Sequence, residues 1–148
     1  MTIKDDWIAF RRLGSLLAAE TAVAHAAEQL ADSVASEALR RDAETAASSA
    51  RRATDVLGAL VPRSRRRRRP KYVLAAALGV LAGVSEGLAA VALRGALVVQ
   101  RQRLRWALEL LAPTARRAIV ERVLPQRATA IASLADDGGV SDNFESTG

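Results

Sequence analysis

Few residues in this chain have the type and spacing that chemistry needs. The best placed is Glu86, inside Tyr72–Gln100, YVLAAALGVLAGVSEGLAAVALRGALVVQ, where the only other charge is Arg94. Apolar surroundings disfavour an ionised carboxylate, so Glu86 reads as a proton-linked or assembly-controlling group, and Arg94, further along, borders the same packing surface. The bland alternative is a glutamate on the wet face of a helix. His25 is the only histidine, with Glu28 one turn on. One imidazole makes neither a metal site nor a triad, and Ser15 or Thr21 does not complete one. His25 is therefore read as a solvated helix histidine. The chain has no cysteine, which excludes disulfides, thiolate metal sites and cysteine nucleophiles. Gly79, Gly83 and Gly87 have helical spacing and no Lys-Ser/Thr pair after them, unlike a phosphate-cradling loop. The expectation is a non-enzymatic chain with no catalytic residue, no cofactor and no metal site.

The second chemical feature is a charge run. In 62–71, PRSRRRRRPK, the residues Arg63, Arg65, Arg66, Arg67, Arg68, Arg69 and Lys71 are all basic and no acid offsets them. Prolines at 62 and 70 prevent the run from continuing a helix. Beside an apolar stretch such a run reads as an anionic-lipid contact, worth about 1 kcal/mol per charge near the surface. Detached from a membrane it reads as a phosphate-binding arm for nucleic acid. Only Tyr72 is near enough to stack on a base, so that binding would be non-specific and salt-dependent.

The elements must position these groups. As one helix, Tyr72–Leu93 is long enough to cross about 30 Å of hydrocarbon. Glu86 opposes insertion by about 2.5–3.5 kcal/mol, so crossing is marginal unless a partner covers it. Ala75, Gly79, Gly83 and Gly87 recur every fourth residue, and Ala90 keeps a small side chain near the same face. Such a stripe lets two backbones approach closely, which drives helix association in lipid. Splitting the stretch at Ser85–Gly87 would leave two halves too short to span. Tyr72 and Trp106 bracket the stretch as headgroup-depth aromatics would. The competing reading is a buried Ala/Gly helix in a soluble bundle.

The flanks are helical too. Half the residues are hydrophobic, but 32 of 148 are alanine and only five are aromatic, so an independent core would be thin. Alanine, leucine, arginine and glutamate favour helix, and no segment alternates with period two. The fold class is all-α. Residues 1–61 form an amphipathic helical region: a helix over 5–41, a soft point near Ser48-Ser49, and a shorter helix ended by Pro62. Its apolar positions Leu13, Leu16, Leu17, Val23, Ala24, Ala27, Leu30, Val34 and Ala38 suit a coiled-coil seam or a helix folded back on its own chain. Glu20 and Glu37 interrupt that face. Residues 62–71 are the polybasic linker and 72–100 the transmembrane candidate. Residues 101–135 are basic amphipathic helices, with breaks expected at Pro113 and Pro125. The acidic 136–148 reads as a disordered tail.

The pattern predicts a membrane-anchored scaffold that homo-oligomerises through the glycine stripe, binds anionic lipids and presents 5–60 to a cytoplasmic protein partner. Its expected location is the inner or plasma membrane, with the N-terminus cytoplasmic because the denser basic cluster precedes the span. The rivals are a pore-type membrane-permeabilising protein and a cytoplasmic helical protein binding nucleic acid through the arginine run.

Overall fold

A computed structural model describes residues 3–61 and 73–137, with side chains from residue 11 to residue 136 of that range. The chain is all-α. In order the helices are α1 (Ile3–Ser33), α2 (Glu37–Leu60), α3 (Val73–Val84), α4 (Glu86–Ala107), α5 (Pro113–Ala118) and α6 (Leu124–Asp137). A 3₁₀ turn, Leu108–Leu110, follows α4, and a π-helical turn, Ile119–Val123, joins α5 to α6.

The N-terminal region is a helical hairpin whose break falls at 34–36, not at the two serines. Ser36 caps α2 by accepting a hydrogen bond from Leu39 N at 3.2 Å. Arg40 reaches back and donates to the carbonyls of Ala31 (3.2 Å) and Val34 (3.0 Å), satisfying the open end of α1. Ser48 and Ser49 lie within an unbroken α2. Ala43, Ala46, Ala47, Ala50 and Ala53 are all buried, and facing alanines on α1 let the two backbones run close together. The seam from Leu13 to Val34 is filled by the chain's own helices, whereas Ala38 is exposed.

α4 runs through the middle of the bundle, against α1, α3 and α6. Its buried face, Ala89, Ala90, Leu93, Leu97, Gln100, Leu104 and Ala107, steps by three and four. Two apolar clusters result. One gathers Val23, Ala27 and Leu30 of α1 and Val34 of the following turn with Leu93 and Leu97 of α4 and Ile131 and Leu134 of α6. The other gathers Leu13, Leu16 and Leu17 with Leu57, Leu104, Ile119 and Val123.

The apolar stretch is not one helix. Ser85 adopts an extended conformation (φ −160°, ψ 128°) and ends α3, and α4 starts at the next residue. At 1.5 Å per residue α3 is only about 18 Å long, and α4 carries four arginines, three of them in its C-terminal half. Among the described residues no helix is long and apolar enough to cross a membrane. The expectation of a transmembrane helix over 72–100 is corrected accordingly.

Two prolines behave differently. Pro113 takes the first turn of α5, where its missing N–H is no loss. Pro125 makes no turn-rich break. The chain widens into the π turn just before it, with Leu124 N bonded to Ile119 O, and α6 then continues to Asp137. A π bulge relieves the clash a proline ring makes with the preceding turn. Of the acidic tail, Asp136 and Asp137 thus belong to α6, while 138–148 lie outside the described residues.

Candidate functional site

Between the two apolar clusters lies a belt of buried polar side chains from four helices. Glu20 of α1 and Arg127 of α6 are each 0% exposed and form an ion pair at 2.7 Å. Arg127 Nε donates to Ser49 Oγ of α2 at 2.7 Å. Gln100 of α4 lies beside the Glu20 carboxylate but outside hydrogen-bond geometry. Glu20 Oε1, Gln100 Nε2 and Arg127 Nη1 are buried without a hydrogen-bond partner among the described residues. Burial pushes the Glu20 carboxyl up from its ordinary range, against the pull of Arg127 and a smaller pull from Arg103. Ser49 is bonded to a guanidinium, which cannot take its proton, so the pair is not a nucleophile with its base. These contacts tie α1, α2 and α6 together at one level of the bundle.

Arg103 connects the belt to the surface. Its Nη1 donates to Gln100 Oε1 at 3.0 Å and its Nη2 to Ser15 Oγ at 3.3 Å. Beyond it, between α1 and α4, opens a groove of about 570 Å³. Arg12, Ser15 and Arg103 supply its polar lining, and Leu16, Val99 and Trp106 its apolar lining.

The third feature is an apolar surface on either side of Ser85. Of the twelve residues of α3, none polar, only Leu78 is buried. Val73, Val80 and Val84 are 73%, 71% and 75% exposed. On α4 the exposed Leu88, Val91, Gly95, Val99 and Trp106 follow helical spacing along one stripe. A Cβ added at Gly79, Gly83 or Gly95 would meet nothing within 4 Å.

The residues singled out by the sequence divide among these features. Gly79 and Gly83 face open space, Ala75 and Gly87 are half-buried, and Ala90 is in the core, because the break at Ser85 splits the stripe. Glu86 is half-buried; its Oε1 accepts a hydrogen bond from Ala35 N at 2.7 Å, pinning the start of α4 to the α1–α2 turn. Its place in the first turn of α4 also suits the helix dipole. Arg94 is exposed. Trp106 is 67% exposed. Arg63, Arg65–Arg69, Lys71 and Tyr72 lie outside the described residues. His25 is half-buried.

The sequence reading passed over the Glu20–Arg127 pair. The signal was present: Glu20, Ser49, Gln100 and Arg127 each interrupt an otherwise apolar stripe on their helix. Opposite charges in two core-facing stripes point to each other, because neither can be buried alone. Compared with family models, curated proteins and solved structures, the chain matches none.

Proposed function

We propose that this chain is a non-enzymatic helical scaffold that docks peripherally on an anionic membrane surface. In this reading α3 lies in the interface and the arginine run immediately before it contacts the headgroups. The observation that carries it is a helix with no polar side chain and one buried residue. Each exposed valine moved out of water contributes about 1.5 kcal/mol or more. The adjacent run adds about 1 kcal/mol per charge at an anionic surface. Stable attachment takes two such signals, and here they are contiguous in sequence. A helix of about 18 Å suits a position parallel to the surface, since crossing needs about 30 Å. The exposed stripe of α4, ending in Trp106, adds an interfacial aromatic. The anionic leaflet places the protein at the cytoplasmic face.

A second reading is self-association through Gly79 and Gly83, favoured by their open surroundings. A symmetric contact would bring two runs of like charge near each other unless anionic lipid lay between them. Self-association is therefore placed after membrane docking.

Flotation with vesicles tests the proposal. The full chain should float with vesicles rich in anionic lipid and stay behind with zwitterionic ones. Val80→Asp combined with Val84→Asp should remove flotation, and both positions are exposed, so the bundle survives. Undiminished flotation of the double variant would refute the α3 contact. Zwitterionic vesicles floating it equally well would refute the electrostatic part.

A further inference from the structure

The groove between α1 and α4 carries two arginines, Arg12 and Arg103, that membrane docking does not use. Its lining holds these two guanidiniums and a hydroxyl, Ser15, together with apolar Leu16, Val99 and the indole of Trp106. We infer that this groove binds a single-chain anionic amphiphile, its phosphate or carboxylate head on Arg12 and Arg103 and its tail along Leu16, Val99 and Trp106.

Three observations carry this. The first is charge complementarity. Among the described residues no carboxylate is within ion-pair distance of either guanidinium, and Arg103 feels the Glu20 carboxyl only at longer range. Guanidiniums suit a phosphate or carboxylate head, and the two arginines line the same groove. The second is pre-organisation. Arg103 is fixed by two neutral acceptors, Ser15 Oγ and Gln100 Oε1, which hold it without neutralising it. The third is size and polarity. A groove of about 570 Å³ lies within the roughly 300–1,000 Å³ of small-molecule sites, which combine apolar walls with a few convergent polar groups. A small free anion would leave the walls unused, and a neutral lipid would leave two cations unpaired.

The inference does not rest on the membrane reading. The site lies on α1 and α4, whereas the principal membrane contact is α3, and its ligand is testable in solution.

Trp106 is itself a reporter. In the full chain with Trp7→Phe it is the only tryptophan. Dodecyl phosphate and dodecanoate, each below its critical micelle concentration, should shift its emission saturably with one ligand per chain. Dodecyl maltoside, with a tail and no charge, and inorganic phosphate, with a charge and no tail, should bind at least about tenfold more weakly. Arg12→Gln should weaken the anionic amphiphiles by about fivefold or more at unchanged thermal midpoint, since Arg12 is exposed. Arg103→Gln should weaken them further, with Arg103→Lys recovering part of the loss. Val80→Asp with Val84→Asp, which should abolish vesicle flotation, should leave this binding intact, so the two proposals fail separately. Equal binding of dodecyl maltoside would overturn the inference, as would unchanged affinity in both arginine variants. Emission that shifts with protein concentration alone, in step with a dimer in sedimentation, would put a second copy in the groove and also overturn it.

Discussion

Glu20 and Arg127 are the residues on which the interior depends. Both are fully buried, and each is the other's ion-pair partner. Arg127→Met should therefore destabilise the protein by about 3–5 kcal/mol in urea melts at neutral pH, because it leaves the buried Glu20 carboxyl without its cation. Replacing both together, Glu20→Leu with Arg127→Met, should cost far less and could even stabilise, since the desolvation of two charges is then avoided. If the double replacement is as damaging as the single one, the pair contributes more than it costs. The pH dependence follows from the same burial. The folded Glu20 carboxyl is raised above its ordinary value of 4.5, so between the two values the folded state holds more protons than the unfolded state. Glu20's contribution is thus fullest below 4.5 and falls as pH rises through the raised value. Wild type should lose stability relative to Glu20→Gln as pH climbs from 4.5. A difference that grows in wild type's favour would mean that Arg127 has overcome the burial. Glu86 carries a different expectation. As a partner of Ala35 N it should cost about 0.5–1.5 kcal/mol when replaced by Ala, whereas an unpaired glutamate in an apolar wall would stabilise on removal.

At the scale of elements, periodicity was the reliable signal and continuity was not. The apolar face from Leu13 to Val34 and the helical nature of every flank were legible, since three-and-four spacing directly reports a buried stripe. The breaks were not. Composition pointed to Ser48-Ser49, yet α2 passes through them because Ser49 has Arg127 to bond and Ser48 points to solvent. The real hinge at 34–36 is held by Ser36, Arg40 and Glu86, two of which are far from it or off the expected helix end in sequence. Ser85 ends α3 inside a run with no proline, a break that hydropathy averages over. The glycines of α3 give a direct test of that helix. Gly79 and Gly83 are helical and have space for a methyl group, so Gly→Ala at either should stabilise by about 0.5–1 kcal/mol in thermal melts. Loss of stability instead would mean that another helix already lies against them.

At the scale of the whole molecule, the bundle spends its large apolar residues unevenly. α1, α2, α4 and α6 enclose a core rich in alanine, with a polar belt across its middle, while α3 packs one face on it through Leu74, Leu78 and Leu81 and leaves Val73, Val80 and Val84 exposed. The class of the fold was readable from composition, and so was the singular character of the stretch after the arginine run. Its manner of use was not, because a helix long enough to span and two helices too short to do so have the same average hydropathy. The groove was also invisible in the sequence: Arg12 and Ser15 meet Arg103 only because α1 and α4 pack side by side. The absence of cysteine allows the central claim to be measured site by site. A polarity-sensitive fluorophore on Val80→Cys, compared with one on the exposed Glu44→Cys of α2, reports which face enters the membrane interface. With anionic vesicles the label at 80 should shift to the blue and become shielded from aqueous iodide, while the label at 44 stays unchanged. A label at 80 that remains in water under conditions where the protein floats would contradict the account.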